Sequence, residues 1–477
     1  MTRIHRAAPG ALALLAATAL AMPALAETDG PAASAPDTMT ATSDRPGAER
    51  WSLDRCVATA LAKNGDARAA RARTVQAKGA AMSAWRGILP TISTDLSYSQ
   101  VQPDKRSAVR GLADTDINAP PDTLLLATES RYGSLGASAD MNIFSIPAIA
   151  EKRRANLLRG GAEHAEAEAR NLVVFQVKRQ YFVLLKAFRL AQVSRESEKL
   201  AKDEEARSEA LFQVGTVARG DVLKARARRA QTQLDRIRAE NQVEIQRSGL
   251  KQVMGVPPET ALETEEILGE EVALPDSLDS IRRALRLRPG LSRSIAAERA
   301  ARAGLFGARA ARLPRVVGSL TVDRTRITDQ LEFDPTALPS FEETRYATRW
   351  TGSVALSLPI FDGFALEGNM RSAKGSLLEA EANRRQLELD VAVEVQTAWL
   401  ALREARQRIE VAMEGLASAE EDYKFSKGRY DLGAGTFLDL LTAEVNLSQA
   451  KRAHVEALAD ARIAEAELER AVGEKRY

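Results

Sequence analysis

The sequence has a single cysteine, Cys56, and only 3 histidines among its 477 residues. One cysteine excludes an intramolecular disulfide and any all-cysteine metal site. His5, His164 and His454 lie far apart and join no ligand cluster, so no metal centre is expected. Aromatic residues make up only 5 %, which suits long helices better than a large mixed core. An excess of one charge is also missing: 67 Lys+Arg stand against 65 Asp+Glu, and without Arg3 and Arg6 the balance is nil. A strongly basic nucleic-acid binder is therefore excluded on global charge. No phosphate-binding loop, dinucleotide fingerprint or serine-nucleophile elbow occurs, so neither a cofactor nor an enzymatic reaction is expected.

Long hydrophobic runs are absent beyond the start of the chain. Residues 1–26 read as a secretory signal: Arg3, His5 and Arg6 precede an apolar stretch, Pro23 breaks it, and Ala24-Leu25-Ala26 offers small residues for cleavage. Residues 27–50, rich in Ala, Pro, Thr and Ser, read as a flexible lead-in. After these, no run of 18 apolar residues appears. A mature chain of this kind is either soluble outside the cytoplasm or crosses a membrane as β-strands, the other solution that satisfies the backbone.

Proline is missing where it would matter for helices. All 18 prolines avoid residues 148–256 and 360–477, two stretches rich in Ala, Glu, Arg, Leu and Gln. Val174, Val177, Tyr181, Leu184, Phe188 and Ala191 step by three and four residues. So do Val391, Val395, Ala398, Leu402, Ala405, Ile409, Ala412, Leu416, Ala419 and Tyr423. A seam sustained in this way marks coiled-coil packing, with helices of about 45–50 residues expected.

The chain also repeats itself. Ala60-Leu61 and Leu89-Pro90 recur as Ala284-Leu285 and Leu313-Pro314, and Gly215, Asp221, Leu223 and Ala225 recur as Gly433, Asp439, Leu441 and Ala443. The first repeat is placed at 51–274, with a β-hairpin at 91–144 and a helical tip near 212–225. The second is placed at 275–477, with a hairpin at 315–361 and a tip near 430–443. Glu263, Glu265, Glu266, Glu270 and Glu271 read as a solvated linker between the two.

Four segments alternate with period two. Ile92, Leu96 and Tyr98 alternate with Ser93, Asp95 and Ser97; Leu135, Ala137, Ala139 and Met141 alternate with Ser134, Gly136, Ser138 and Asp140. Leu320 and Val322 alternate with Ser319 and Thr321, and Val354 and Leu356 with Ser353 and Ser357. Strands of about 9–11 residues are expected, long enough to cross a bilayer when tilted. Small polar residues on one face suit a water-filled lumen, although alternation alone fits two ordinary amphipathic hairpins as well. Four strands cannot close a spanning barrel, which takes about eight or more, so a barrel requires several chains to pool their strands.

At the tips, Gly215 and Gly433 are suited to end a helix in the left-handed conformation, Thr436 to cap the next one, and Asp439 to sit in its first turn. The pattern Tyr430-x-x-Gly433-x-x-Thr436-x-x-Asp439-x-Leu441 resembles the outer-membrane efflux protein, or TolC-like, family. So do Leu89-Pro90 ahead of a strand, Leu358-Pro359-Ile360-Phe361-Asp362-Gly363 at the end of one, and Arg288-Pro289.

The resemblance implies an α+β membrane protein, a homotrimer joining a long antiparallel helical coiled-coil barrel to a transmembrane β-barrel with four strands from each chain. It implies a conduit from periplasm through the outer-membrane lipid, with a periplasmic adaptor protein and an inner-membrane efflux pump or secretion transporter as partners. Phe212, Gly215, Asp221, Leu223, Tyr430, Gly433, Thr436 and Leu441 would form the periplasmic tip that meets the adaptor. Asp439, Tyr430 and Asp221 would line the aperture, with Tyr430 bonded to Asp221 and Asp439 repeated as an acidic ring. Two positions depart from relatives: Gly435 stands where some carry a basic residue, and Thr442 where some carry a second acid. An outlet for type I protein secretion and, in another class, a periplasmic coiled-coil scaffold are the alternative readings.

Overall fold

The chain separates into two units, Met1–Ala48 and Glu49–Tyr477. A computed structural model describes residues 50–101, 126–268, 272–332 and 341–473, all in the second. The expected signal, nearly all of the lead-in, and residues 102–125 and 333–340 between paired strands lie outside the described residues.

Each half of this unit follows one order. The first has α1 (Leu53–Lys63), α2 (Gly65–Ser83), β2 (Thr91–Val101), β3 (Leu126–Phe144), α3 (Ile146–Gln213) and α4 (Arg219–Met254). The second has α5 (Ser277–Leu287), α6 (Pro289–Ala310), β5 (Arg315–Glu332), β6 (Phe341–Ser357), α7 (Ala365–Asp431) and α8 (Phe437–Val472). Two short strands, β1 (Arg50–Trp51) and β4 (Glu263–Thr264), pair in parallel.

The duplication extends to single contacts. Ala60 and Ala284 are both fully buried, each in one of the two main apolar cores. The Tyr181 hydroxyl donates to the carbonyls of Trp51 (3.2 Å) and Glu265 (2.8 Å), while Trp399 Nε1, 218 residues further on, donates to the Pro275 carbonyl at 2.8 Å. Each aromatic thus pins the strap that precedes the short helix of its repeat. Glu263, Glu265 and Glu266 are solvated as expected, although their backbone runs along the first strap, and Glu270 and Glu271 lie outside the described residues. Glu263 pairs in β4, Glu266 forms an ion pair with Arg189, and Leu268 is buried.

The long helices exceed the expected length. α3 has 68 residues and α7 has 67, roughly 100 Å each at 1.5 Å per residue. The seam counted only apolar positions, whereas strong helix formers carry the helix through polar stretches as well. In α3 the helix starts two residues before the proline-free run, because Pro147 occupies the first turn, where its missing N–H costs nothing. Along α7 the seam is buried from Val391 to Ala405 and half-buried from Ile409 to Tyr423. Phe188 departs from its predicted seam: it is 50 % exposed and lines an open groove, while Leu184, Leu185 and Ala187 supply the packing.

Strands β2, β3, β5 and β6 form one antiparallel sheet in that order. They have 11, 19, 18 and 17 residues, three of them well beyond the expected 9–11. β2 and β6 are the edges, and neither has a second strand partner among the described residues. All four strands join the helices at one end of the sheet, and the strand ends at Val101, Leu126, Glu332 and Phe341 lie at the other.

Candidate functional site: the sheet and the helical tips

Register fixes what each sheet face carries. Ile92 lies opposite Ala139, Ala139 opposite Leu320, and Leu320 opposite Gly352. With Leu96, Leu135, Val322, Trp350, Val354 and Leu356 they make one apolar face. Among the described residues nothing covers it: Leu96 is 82 % exposed and Trp350 68 %. The opposite face is polar. Ser93 and Ser138 hydroxyls bond across it at 2.8 Å, Ser97 and Ser134 at 2.7 Å, and Ser319 and Ser353 at 2.7 Å. Serine pairs leave no apolar layer to bury, so this face suits water.

The apolar band is shorter than the strands. Away from the helices it passes through Val322 and Trp350 and then meets Arg324 and, one row further, Arg326 level with Tyr98 and Tyr346. At the helical end it closes with exposed Phe144, Phe361 and Phe364, the last two in an edge-to-face pair at 5.6 Å, and Trp85 lies under Lys152. Aromatic girdles of this kind flank the lipid-facing band of spanning sheets. The excess strand length is therefore ribbon continuing past the band. Among the described residues, no helix is long and apolar enough to cross a membrane.

At the far end of the long helices, both tips close with the same backbone device. Gly215 has φ +80°, its N–H donates to the Phe212 carbonyl (2.9 Å), and the Thr216 N–H donates to the Leu211 carbonyl (3.0 Å). Gly433 has φ +67°, with matching bonds to Tyr430 (3.0 Å) and from Ala434 to Arg429 (2.8 Å). This is the Schellman arrangement, which satisfies the last helical carbonyls. Thr436 caps α8 through a reciprocal box with Asp439, both bonds being 3.2 Å. α4 starts at Ala218 without a side-chain cap, and Asp221 in its first turn takes a 3.3 Å bond from Lys224.

The predicted tip residues divide into two groups. Tyr430, Phe437, Leu440 and Ala225 form a small core joining the two arms, with Leu441 packed at its edge and the Tyr430 and Phe437 rings 5.8 Å apart. Phe212 and Leu223 are exposed, as are Val214, Leu432 and Leu438 beside them. The expected Tyr430–Asp221 hydrogen bond is not formed within the chain. The Tyr430 hydroxyl is buried beside Ser208, and the ring turns inward onto Phe437. Asp439 serves its own helix: the Thr436 hydroxyl and backbone hold its carboxyl below the usual range. A Cβ at Gly435 would sit 3.1 Å from Arg429 Cβ and 3.2 Å from the Tyr430 nitrogen, so the turn leaves little room for the basic residue of some relatives. The Thr442 hydroxyl donates to the Leu438 carbonyl at 2.8 Å.

Comparison with known proteins matches this arrangement to a family. The profile described as outer membrane efflux protein covers residues 56–256 and 280–474, one span for each repeat. The chain belongs to this family.

Membership makes it an outer-membrane protein. The chain is 28 % identical to Protein CyaE of Bordetella pertussis over 248 residues, 50 % of this chain and 49 % of that one. It is 28 % identical to the alkaline protease secretion protein AprF of Pseudomonas aeruginosa over 207 residues, 43 % of this chain and 42 % of that one. The matched segments thus span about half the length of these relatives or less. The fold superposes on the Campylobacter jejuni CmeC outer membrane channel with a TM-score of 0.70 and 21 % identity, covering 88 % of this chain and 85 % of that one.

Just above the tip, this family member carries a buried polar cluster that, apart from Tyr430, lies outside the motif. Glu204 is 6 % exposed, Glu444 is 4 % exposed and Ser208 is fully buried. Glu204 Oε2 and the Tyr423 hydroxyl have no hydrogen-bond partner among the described residues, and the Tyr430 hydroxyl neighbours Ser208. Burial pushes the Glu204 carboxyl up, against the pull of Arg207 and Lys427 and reinforced by Asp431 and Asp203. Burial likewise raises Glu444, although Arg228 pairs with it at 3.2 Å. The Tyr423 hydroxyl is pushed up to about 12 by burial and by the acids Glu204, Glu444 and Asp431. Arg207 is itself engaged with Asp431. A signal for the cluster existed. Continuing the α3 seam past Ala191 through Ser194, Ser197 and Ala201 arrives at Glu204 and Ser208, all buried.

Proposed function

We propose that the chain is the exit duct of a tripartite efflux system. In this reading it is a passive conduit through the outer membrane and periplasm, energised by an inner-membrane pump through a periplasmic adaptor. The observation that carries it is the open four-stranded sheet, with an uncovered apolar face, a hydroxyl-lined opposite face and two unpaired edges. An exposed edge and an apolar face both need a partner. Three copies joined edge to edge, β6 to β2, supply twelve strands, put the apolar band against lipid and enclose the polar face. The long helices then continue the duct. The exposed Phe212, Leu223, Val214, Leu432 and Leu438 at the tips offer the adaptor an apolar docking surface, and Asp439 and Asp221 lie beside the aperture.

A second reading, an outlet for type I protein secretion, is favoured by the similarity to AprF. Both readings share the duct and differ in the transporter. Affinity purification of the tagged chain from cross-linked cells tests them. Recovery of an adaptor with an inner-membrane drug or ion pump supports efflux, and recovery with an ATP-driven protein exporter supports secretion. Recovery of the chain with neither would overturn the tripartite assignment.

A further inference from the structure

Beyond the apolar band, the face that meets lipid changes character within two rows. Leu135 lies opposite Arg324, and Gly133 lies opposite Arg326. On the β6 side, Arg324 faces Thr348 and Arg326 faces Tyr346. Both arginines are exposed, and the Arg324 guanidinium lies over the Tyr346 ring at 5.7 Å from its centroid. One row further out on the same face comes Arg131, opposite Thr328 and also exposed. Between the band and Arg131 this face carries no acid among the described residues. β3 and β5 are the two central strands, so a neighbouring copy joined at either edge leaves the patch uncovered.

We propose that Arg324 and Arg326, flanked by Tyr346, form a binding site for the phosphate groups of the glycolipid in the outer leaflet. The assignment rests on the duct reading, which puts the helices in the periplasm and this end of the sheet at the outer leaflet. Three physical reasons support it. The patch is continuous with the apolar band, so acyl chains lying on Leu320, Val322 and Val354 bring a headgroup to this height. Guanidinium groups match phosphate oxygens in a two-pronged geometry that ammonium groups do not reproduce. Basic side chains at the membrane surface each contribute attraction to anionic headgroups. Packed on an aromatic ring, Arg324 is also partly held in place before the lipid arrives.

The test uses the purified full-length chain in detergent, the double variant Arg324→Gln/Arg326→Gln, and the double variant to lysine. Native mass spectrometry reads binding of diphosphorylated lipid A, dephosphorylated lipid A and phosphatidylglycerol. The expected result is preference of the wild type for the diphosphorylated form, a loss of roughly tenfold or more in the glutamine variant, and an intermediate affinity in the lysine variant. Equal binding of diphosphorylated lipid A by wild type and glutamine variant overturns the site, as does equal binding of the dephosphorylated form. Conductance in planar bilayers separates this from the reading beneath it. A glutamine variant that conducts like wild type but binds no lipid A supports the site, whereas a wild type that does not conduct brings down the duct reading.

Discussion

Glu204 shows what one residue does to a coiled-coil arm. A carboxylate at a seam position is desolvated, and here three hydroxyls lie near it in the arm without supplying a bond. Because its folded pKa is raised, the neutral acid suits the packed arm. That stability is fully present below the ordinary value near 4.5 and is lost as pH rises through the raised value. Glu204→Gln, neutral at every pH, should therefore melt at a higher temperature than wild type near pH 8. The two should converge near about pH 4, where both side chains are uncharged. Thermal unfolding of wild type and variant at both pH values checks this, and identical melting at pH 8 would contradict it.

At the scale of elements, both tips depend on glycines whose φ is strongly positive, Gly215 at +80° and Gly433 at +67°. A Cβ meets no neighbour at either site, so replacement by alanine isolates the backbone cost, about 1–2 kcal/mol for a left-handed residue. Hydrogen exchange should show faster opening of residues 212–218 in Gly215→Ala and of 430–436 in Gly433→Ala, with the rest of the arms unchanged. Unaltered protection in both variants would contradict the turn assignment. These tips were legible in sequence because a Schellman turn and a capping box are local devices with fixed residue preferences. The long helices and the alternating strands were legible for the same reason, since their periods are properties of neighbouring residues. Helix length was underestimated because polar helix formers leave no seam to count. The Glu204–Glu444 cluster was missed because it joins residues more than two hundred positions apart, which no motif links. Phe188 was misassigned because stepping by three and four does not reveal that Leu185 and Ala187, off that seam, are the buried positions. The two straps pinned by Tyr181 and Trp399 depend on carbonyl partners that only the folded chain brings together.

For the whole molecule, the central claim is that the sheet crosses lipid with its serine-lined face around water. Four strands cannot close a barrel, and among the described residues β2 and β6 end the sheet unpaired. The claim therefore couples assembly to conduction: heat-modifiable trimers should be recovered from the outer-membrane fraction, and the same trimers should conduct. The decisive measurement is ion conductance of the purified protein reconstituted in planar bilayers. The account predicts discrete conductance steps that arise from the trimer and are lost when heating dissociates it. A protein that inserts no conducting unit, or that fractionates as a soluble periplasmic monomer, would contradict it.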